Sequence, residues 1–409
     1  MNRRHMMMLS GAAVAARAAA APAPQAPAQT PPDTAQDSPD KLLLKDYTPQ
    51  SIYRVPKSDI KRAKFPVFDV HCHGAEATVP VDQMVRLMDT VGVEKTVIFI
   101  GASTPDRFAQ AAKQYSPYAN RFELWCGFDM TGVDQPGFGP EAVKSLEGCH
   151  AAGALGVGEI SDKGFGFRGR PAGAAPGAAG RGGAAGPAAG AGRGGAGRGS
   201  APPTPGPHLD DVRMDALLER SAQLGMPINI HVSDPIWSYQ PMDRTNDGLM
   251  NGYKWRIDDK QPGILGHDGL IQSLDHAAER HPKTTFIACH LANLDYDLAR
   301  LGQMFDRRPN LYADISARFS ELGPIPRAVN QFFQKYSGRI LYGTDNRYVQ
   351  NMFSATFRLL ETTDEHFYDS FFNSYHWSLY GAGLPDDVLK KLYRDTAVAV
   401  FRRARNSGA

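Results

Sequence analysis

His71 and His73 stand two residues apart at the end of an apolar, β-type run, Phe65–His71. On a strand that spacing puts both imidazoles on one face, inward, and sends Cys72 to the other. Two imidazoles converging on one point need a cation or a hydrogen-bonded partner. Farther along, Glu159, His231, His290 and Asp345 each close a separate β-type run. A lone His in such a place is ordinarily structural. Metal-competent groups at the ends of five different runs point instead to a metal centre. A divalent ion with imidazole and carboxylate ligands and an open position lowers the pKa of bound water to about 7, which gives a nucleophile at neutral pH. Asp345 beside that water would act as general base, and His290 would stabilise a developing oxyanion. Zinc suits these donors best, ahead of other first-row divalent ions.

Elements that alternate along the chain must position these groups. The β-type runs are Phe65–His71, Thr96–Ile100, Phe122–Phe128, Ala154–Ile160, Pro227–Val232, Thr284–His290, Asn310–Ile315 and Arg339–Gly343. They are too short for helices and rich in Val, Ile, Phe and Tyr. Amphipathic stretches intervene: Val81–Val91, Val212–Leu224, Leu270–Arg280, Leu294–Phe305 and Arg327–Tyr336. Eight strands alternating with helices predict an α/β fold, most economically a closed (β/α)8 TIM barrel, with an open doubly wound sheet as the alternative. Barrel sites form at the C-terminal ends of the strands, where the six residues fall. No glycine-rich phosphate loop follows the first strand, so no nucleotide fold is indicated.

The residues Val67-Phe68-Asp69-Val70-His71-Cys72-His73, Gly158-Glu159-Ile160, Asn229-Ile230-His231, Ala288-Cys289-His290, Asn310 to Ser316 and Leu341-Tyr342-Gly343-Thr344-Asp345 together form a pattern. It resembles the amidohydrolase superfamily, in particular its branch of small barrels that includes the aminocarboxymuconate-semialdehyde decarboxylase group. The resemblance runs from about Phe65 to Arg402. It implies a metal-dependent barrel with ligands at His71, His73, His231 and Asp345. His290 then polarises substrate in a mononuclear centre, or binds a second ion in a binuclear one with Glu159 as the bridge. One ion is expected, and two are the alternative.

Other residues are candidates to meet substrate. Arg318 is placed to reach a substrate carboxylate, or else to pair with Asp314 or Glu321. Asp69, two before His71, is expected on the same inward face, as a partner of the ligands or a buried structural acid. The segment Ser233 to His267 is long and irregular, as lids and binding loops are. Its Trp237 and Tyr239 are expected either to line the pocket or to pack the loop. Arg347 follows Asp345 at the pocket mouth. Helices are expected over His366–Tyr375 and Asp386–Phe401.

The remaining composition narrows the class. Residues 164–207 number 44, of which 16 are Gly, 12 Ala, 7 Pro and 5 Arg. Such a stretch cannot bury enough surface to order itself, so a disordered Gly/Ala/Arg-rich insert is expected after strand 4. Its five arginines come with no acid, so from a total of +2 the rest of the chain stands at −3. Nothing there favours nucleic acid. Arg3-Arg4 ahead of the short apolar run Met6 to Ala16 resembles a twin-arginine export signal over residues 1–21, followed by a linker over 22–48. The barrel is expected over 49–405. The apolar run is too short to span a bilayer, so no membrane association is expected beyond export. Four cysteines make no disulfide framework at this length. The expected activity is hydrolysis of a C–N, C–O or lactone bond in a small molecule, by a monomer or homo-oligomer. A non-oxidative decarboxylase of a small carboxylic acid is the alternative. A non-catalytic metal- or ligand-binding protein is a further one.

Overall fold

Eight parallel strands form the centre of the molecule: β1 (Val67–His73), β2 (Val93–Phe99), β3 (Phe122–Trp125), β4 (Val157–Asp162), β5 (Ile228–Val232), β6 (Phe286–Ala288), β7 (Leu311–Asp314) and β8 (Ile340–Leu341). The computed structural model describes residues 38–74, 79–135, 138–167, 206–345, 348–372 and 376–408. The strands hydrogen bond in sequence order, β1 to β3 in one sheet and β4 to β8 in another. Cys126 bridges to Val157, and the Leu155 amide donates to the Leu124 carbonyl at 2.9 Å, which joins the two. The Val70 amide donates to the Tyr342 carbonyl at 2.9 Å and closes β8 onto β1. The expected (β/α)8 barrel is therefore formed.

Helices follow the strands: α1 (Val81–Val91), α2 (Pro105–Ala112), α3 (Pro140–Ala151), α4 (Asp215–Gln223), α5 (Leu249–Trp255), α6 (His267–Arg280), α7 (Leu298–Arg307), α8 (Phe319–Leu322), α9 (Pro326–Lys335), α10 (Gln350–Glu361), α11 (Asp386–Lys390) and α12 (Thr396–Gly408). Their apolar faces pack on the outside of the strands. Met84, Val85, Met88 and Val91 of α1, spaced for one helical face, are all buried. The apolar residues Phe68, Val97, Phe99, Trp125, Ile287 and Leu341 form a separate cluster with Val400 and Phe401 of α12. Phe401 meets Phe68 and Trp125 edge-on at 5.4 Å each and closes the end of the barrel opposite the candidate site. Burying a ring of that size contributes about 2–3 kcal/mol.

Two register slips aim side chains. Between Asp69 and Cys72, β1 carries one residue more than β2, and between Val157 and Ile160, β4 carries one more than β5. A bulge of this kind turns the strand locally and re-directs the residue within it. His71 and Glu159 lie in these two bulges. The slip also breaks the alternation that placed Asp69 beside the histidines. Its buried carboxylate accepts from the His71 amide at 3.1 Å, from the Thr344 amide at 3.1 Å and from the Thr344 hydroxyl at 2.7 Å.

Residues 164–207 leave and return at one point. Phe167 N donates to Pro207 O at 2.7 Å, and Gly206 N donates to Phe165 O at 2.9 Å. Asp162 accepts from the amides of Gly164 and Gly166 and pairs with His208 at 2.7 Å, holding both stems. The body of the insert, 168–205, lies outside the described residues, as do the export signal (1–21) and linker residues 22–37. Leu44–Asp46 form an exposed 3-10 turn, and the main compact unit begins at Thr48. Among the described residues no helix is long and apolar enough to cross a membrane. All four cysteines are free and buried.

One expected helix is absent. Over the described part of His366–Tyr375, Phe367 forms an antiparallel bridge with Leu379, and Phe372 stacks on Phe319 at 5.9 Å. The segment is rich in aromatic residues, which favour such packing over a helix. Asp386–Phe401 is helical, in two pieces joined by a π-helical turn at Lys391–Asp395.

Candidate metal centre

Six side chains from five strand ends meet at the C-terminal mouth of the barrel. His71 Nε2 lies 3.5 Å from Asp345 Oδ1, and His73 Nε2 lies 3.2 Å from the same oxygen. His73 Nε2 is also 3.3 Å from Glu159 Oε2. The other oxygen of Glu159 is 2.7 Å from His231 Nδ1 and 3.6 Å from His290 Nε2. His231 Nδ1 and His290 Nε2 are 3.2 Å apart. These contacts divide the expected ligands into two donor sets. One is His71, His73 and Asp345; the other is His231 and His290; Glu159 turns one oxygen to each, and His290 Nε2, also 3.6 Å from Asp345 Oδ2, borders both. His231, expected beside His71 and His73, groups with Glu159 and His290.

Hydrogen bonds on the far side of two of the rings fix their tautomers. His71 Nδ1 donates to Asp314 Oδ2 at 3.0 Å, so Nε2 presents its lone pair to the centre. His290 Nδ1 donates to the Ser316 carbonyl at 2.8 Å, which leaves its Nε2 lone pair facing His231 and Glu159. His231 Nε2 faces Asp234 Oδ1 at 3.4 Å. The carboxylates and the carbonyl behind these three imidazoles are the usual support of a ligating histidine. His71 Nε2, His73 Nε2 and Asp345 Oδ1 are buried and make no hydrogen bond. Three orphaned polar atoms in mutual reach are costly unless something polar or charged joins them, so the residues fit a cation.

The charges agree. Burial alone would raise the Asp345 carboxyl, but the neighbouring imidazoles, His71 foremost and then His73 and His290, hold it far below the ordinary range. Glu159 is likewise held well down, against burial, chiefly by His231. Burial would lower His73, but the carboxylates of Asp345 and Glu159 beside it raise it to about 10. Burial pushes His290 down to about 4, so its ring is neutral at pH 7. The centre thus sets ionised carboxylates against a protonated His73, a positive charge that a bound cation would replace.

Asp314, at the end of β7, is the hub beneath the site. Besides His71, it accepts from the amides of His290 and Ser316 at 3.1 Å each and from Asn229 Nδ2 at 3.0 Å. Gly343 completes the floor: a Cβ there would sit 2.8 Å from His71 Cβ and 3.5 Å from Asp314 Cβ. Gly343→Ala is expected to lower stability by about 2 kcal/mol through overpacking and to weaken metal binding, read by thermal denaturation and metal titration. Unchanged values for both would show that His71 moves freely.

The remaining candidates lie farther out. Trp237 is buried inside its loop, where a Cβ on Gly248 would strike it, and its carbonyl accepts from Asn246. The Tyr239 hydroxyl is 3.0 Å from Ser233 Oγ. Arg318 is buried and engaged by Asn293, Ala317, Asp295 and Glu321. Arg347 lies outside the described residues. Sequence reasoning missed Lys163, which follows β4 directly: its Nζ is 3.0 Å from Asp234 Oδ1 and 5.6 Å from the Trp255 ring centre. Its signal was its place four residues after Glu159, one step beyond a strand end on the site face.

A profile of the amidohydrolase family matches residues 161–403, from the end of β4 into α12. The chain belongs to the amidohydrolase family. The family is metal-dependent and acts on small molecules, and this amidohydrolase carries candidate metal-binding groups to match. Its chain is similar to an uncharacterized TIM-barrel protein from Bordetella bronchiseptica (14% identity, 83% of this chain and 99% of that one, TM-score 0.48). It is also similar to a probable 2-pyrone-4,6-dicarboxylic acid hydrolase from Acinetobacter baumannii (11%, 83% and 100%, TM-score 0.41). A third similar structure is IDCase from Metarhizium anisopliae in its apo form (14%, 83% and 97%, TM-score 0.42). No curated protein matches the sequence.

Proposed function

We propose that this amidohydrolase is a zinc-dependent hydrolase of a C–N, C–O or lactone bond in a small organic molecule, with Asp345 as its general base. The observation that carries the reading is the set of orphaned atoms, His71 Nε2, His73 Nε2 and Asp345 Oδ1, buried together at the mouth of the barrel. Zinc bound there would lower the pKa of water and polarise the substrate's carbonyl. The chain's own residues do the rest. Asp345, ionised at neutral pH, accepts the proton of the attacking water on a carboxylate oxygen and returns it to the leaving group. Asp314 keeps His71 oriented, and Ser316 keeps His290 in the tautomer that presents Nε2 as an acceptor. That tautomer favours a ligand role for His290 over a hydrogen-bond donor to an oxyanion. Burial of the cluster keeps bulk water from competing for these groups.

The two donor sets sharing Glu159 support two ions rather than the single one expected from sequence. The purified, zinc-loaded chain is expected to carry two equivalents by elemental analysis, and Glu159→Gln to weaken both. One tight equivalent in the wild type would return the centre to a mononuclear one. Turnover of a panel of amides, lactones, phenolic acids and sugar-derived acids in 18O-water tests the reaction: one labelled oxygen per product is expected. Lys163 supports the second reading, a non-oxidative decarboxylase, because its ammonium at the mouth would meet a substrate carboxylate. Release of carbon dioxide without label in the organic product would establish that reading and overturn hydrolysis.

A further inference from the structure

His290, the strand-6 histidine, sits at the start of an unusual backbone segment. Four consecutive residues, none of them glycine, are left-handed: His290 (φ 57, ψ 41), Leu291 (φ 54, ψ 33), Ala292 (φ 56, ψ 23) and Asn293 (φ 53). All four are buried. L-residues avoid this region, and a run of four persists only where the surroundings over-determine it. The surroundings do so through Asn293. Its Nδ2 donates to the Val232 carbonyl, next to His231, at 2.9 Å. Its own carbonyl accepts from His267 Nε2 at 3.2 Å. Its Oδ1 accepts two bonds from one guanidinium, Arg318 Nη2 at 2.6 Å and Nε at 3.2 Å. Arg318 is itself held from behind by the Ala317 carbonyl at 2.7 Å and by Asp295 and Glu321 at 3.5 and 3.6 Å.

We propose that Arg318 is a positioning residue: through its two-nitrogen grip on Asn293 it holds the left-handed turn that aims His290 Nε2 at Glu159 and His231. The inference rests in part on the metal-centre reading, since the aimed nitrogen is a ligand there. It assigns Arg318 to the fold of the site rather than to the substrate. A fork matters here, because a lysine ammonium is a point charge and cannot bond one oxygen from two fixed directions.

The test uses the full chain and two readouts. In the metal-free protein, amide hydrogen exchange over residues 290–294 is expected to quicken about 10-fold in Arg318→Met and in Asn293→Ala, with β1 and β5 unchanged. In zinc titrations, the Glu159–His231–His290 set is expected to lose about 10- to 100-fold in affinity, while the His71–His73–Asp345 set keeps its own. Arg318→Lys, which preserves the charge facing Asp295 and Glu321, should show the same two changes, and it serves if the Met variant does not fold. Adding Ala292→Gly to the Arg318 variant should recover part of the lost affinity, because glycine takes the left-handed region without strain. Wild-type exchange over 290–294 in both Arg318 variants would overturn the proposal. If the wild type bound no zinc at His290, the metal-centre reading would fall, while the exchange experiment would still decide the role of Arg318.

Discussion

Asp345→Asn is expected to reduce kcat by about 10³-fold at saturating zinc while the thermal transition stays close to that of the wild type. Both halves follow from the same geometry. Asp345 Oδ1 makes no hydrogen bond, so replacing the carboxylate leaves no protein donor stranded. The amide of Asp345 still donates to the His71 carbonyl at 2.9 Å, so the β8 loop keeps its tie to β1. What disappears is the charge and the proton acceptor. An amide oxygen cannot take a proton from water near neutrality, and it is a poorer ligand than the carboxylate it replaces. Rate measurements at several zinc concentrations separate the two losses: a defect that zinc does not rescue belongs to proton transfer. A variant turning over within 10-fold of the wild type would remove Asp345 from the role of base.

Asp314→Ala acts on the support rather than the chemistry, and its largest effect is on stability. The carboxylate accepts from His71 Nδ1, from two backbone amides and from Asn229, all in a fully buried setting. Removing it leaves these donors unpaired and a buried imidazole without its counter-charge. A loss of about 3–5 kcal/mol is expected, with metal affinity down by about 10- to 100-fold. Chemical denaturation and zinc titration read the two. The pH dependence carries a signature. Against the pull of burial, His71 holds the Asp314 carboxyl at about 2, below its unfolded value. Its contribution is therefore present above the unfolded pKa of about 3.9 and fades as pH falls through the folded one. Wild-type stability should fall faster than the variant's between those two values. Equal stability at neutral pH would show that Asp314 is not the hub described.

The positions of the candidate ligands were legible in the sequence because strand ends and metal-competent residue types coincide there. His71, His73, Glu159, His231, His290 and Asp345 all reach the mouth of the barrel, and α1 spans the expected Val81–Val91. The grouping about Glu159 was legible only as the alternative to a single ion, and what favours it was not. It depends on two one-residue slips, in β1 and β4, that no local pattern announces. The slip in β1 leaves Asp69 in the second of its two expected roles, a buried structural acid that accepts from the His71 and Thr344 amides. The hub role of Asp314 joins residues 243 apart in the chain, beyond any periodicity argument. The left-handed turn after β6 was hidden for a different reason. Leu291 and Ala292 carry no turn signal, and it is the distant Arg318 that makes their conformation tenable. The expected strand to His290 accordingly ends early, at Ala288.

The paired stems at Phe165–Phe167 and Gly206–Pro207 make the chain between them a permissive port. Whatever runs from one stem to the other, its two ends are already joined before it begins. The closure cost of such a loop grows only with the logarithm of its length, about 0.6 kcal/mol per doubling. Replacing residues 168–205 by a four-residue Gly/Ser linker should therefore leave the thermal transition and the zinc stoichiometry unchanged, and a foreign domain of closely spaced termini should be carried there equally well. A barrel built this way can gain or lose a whole segment beside its candidate metal centre while the strands keep their register.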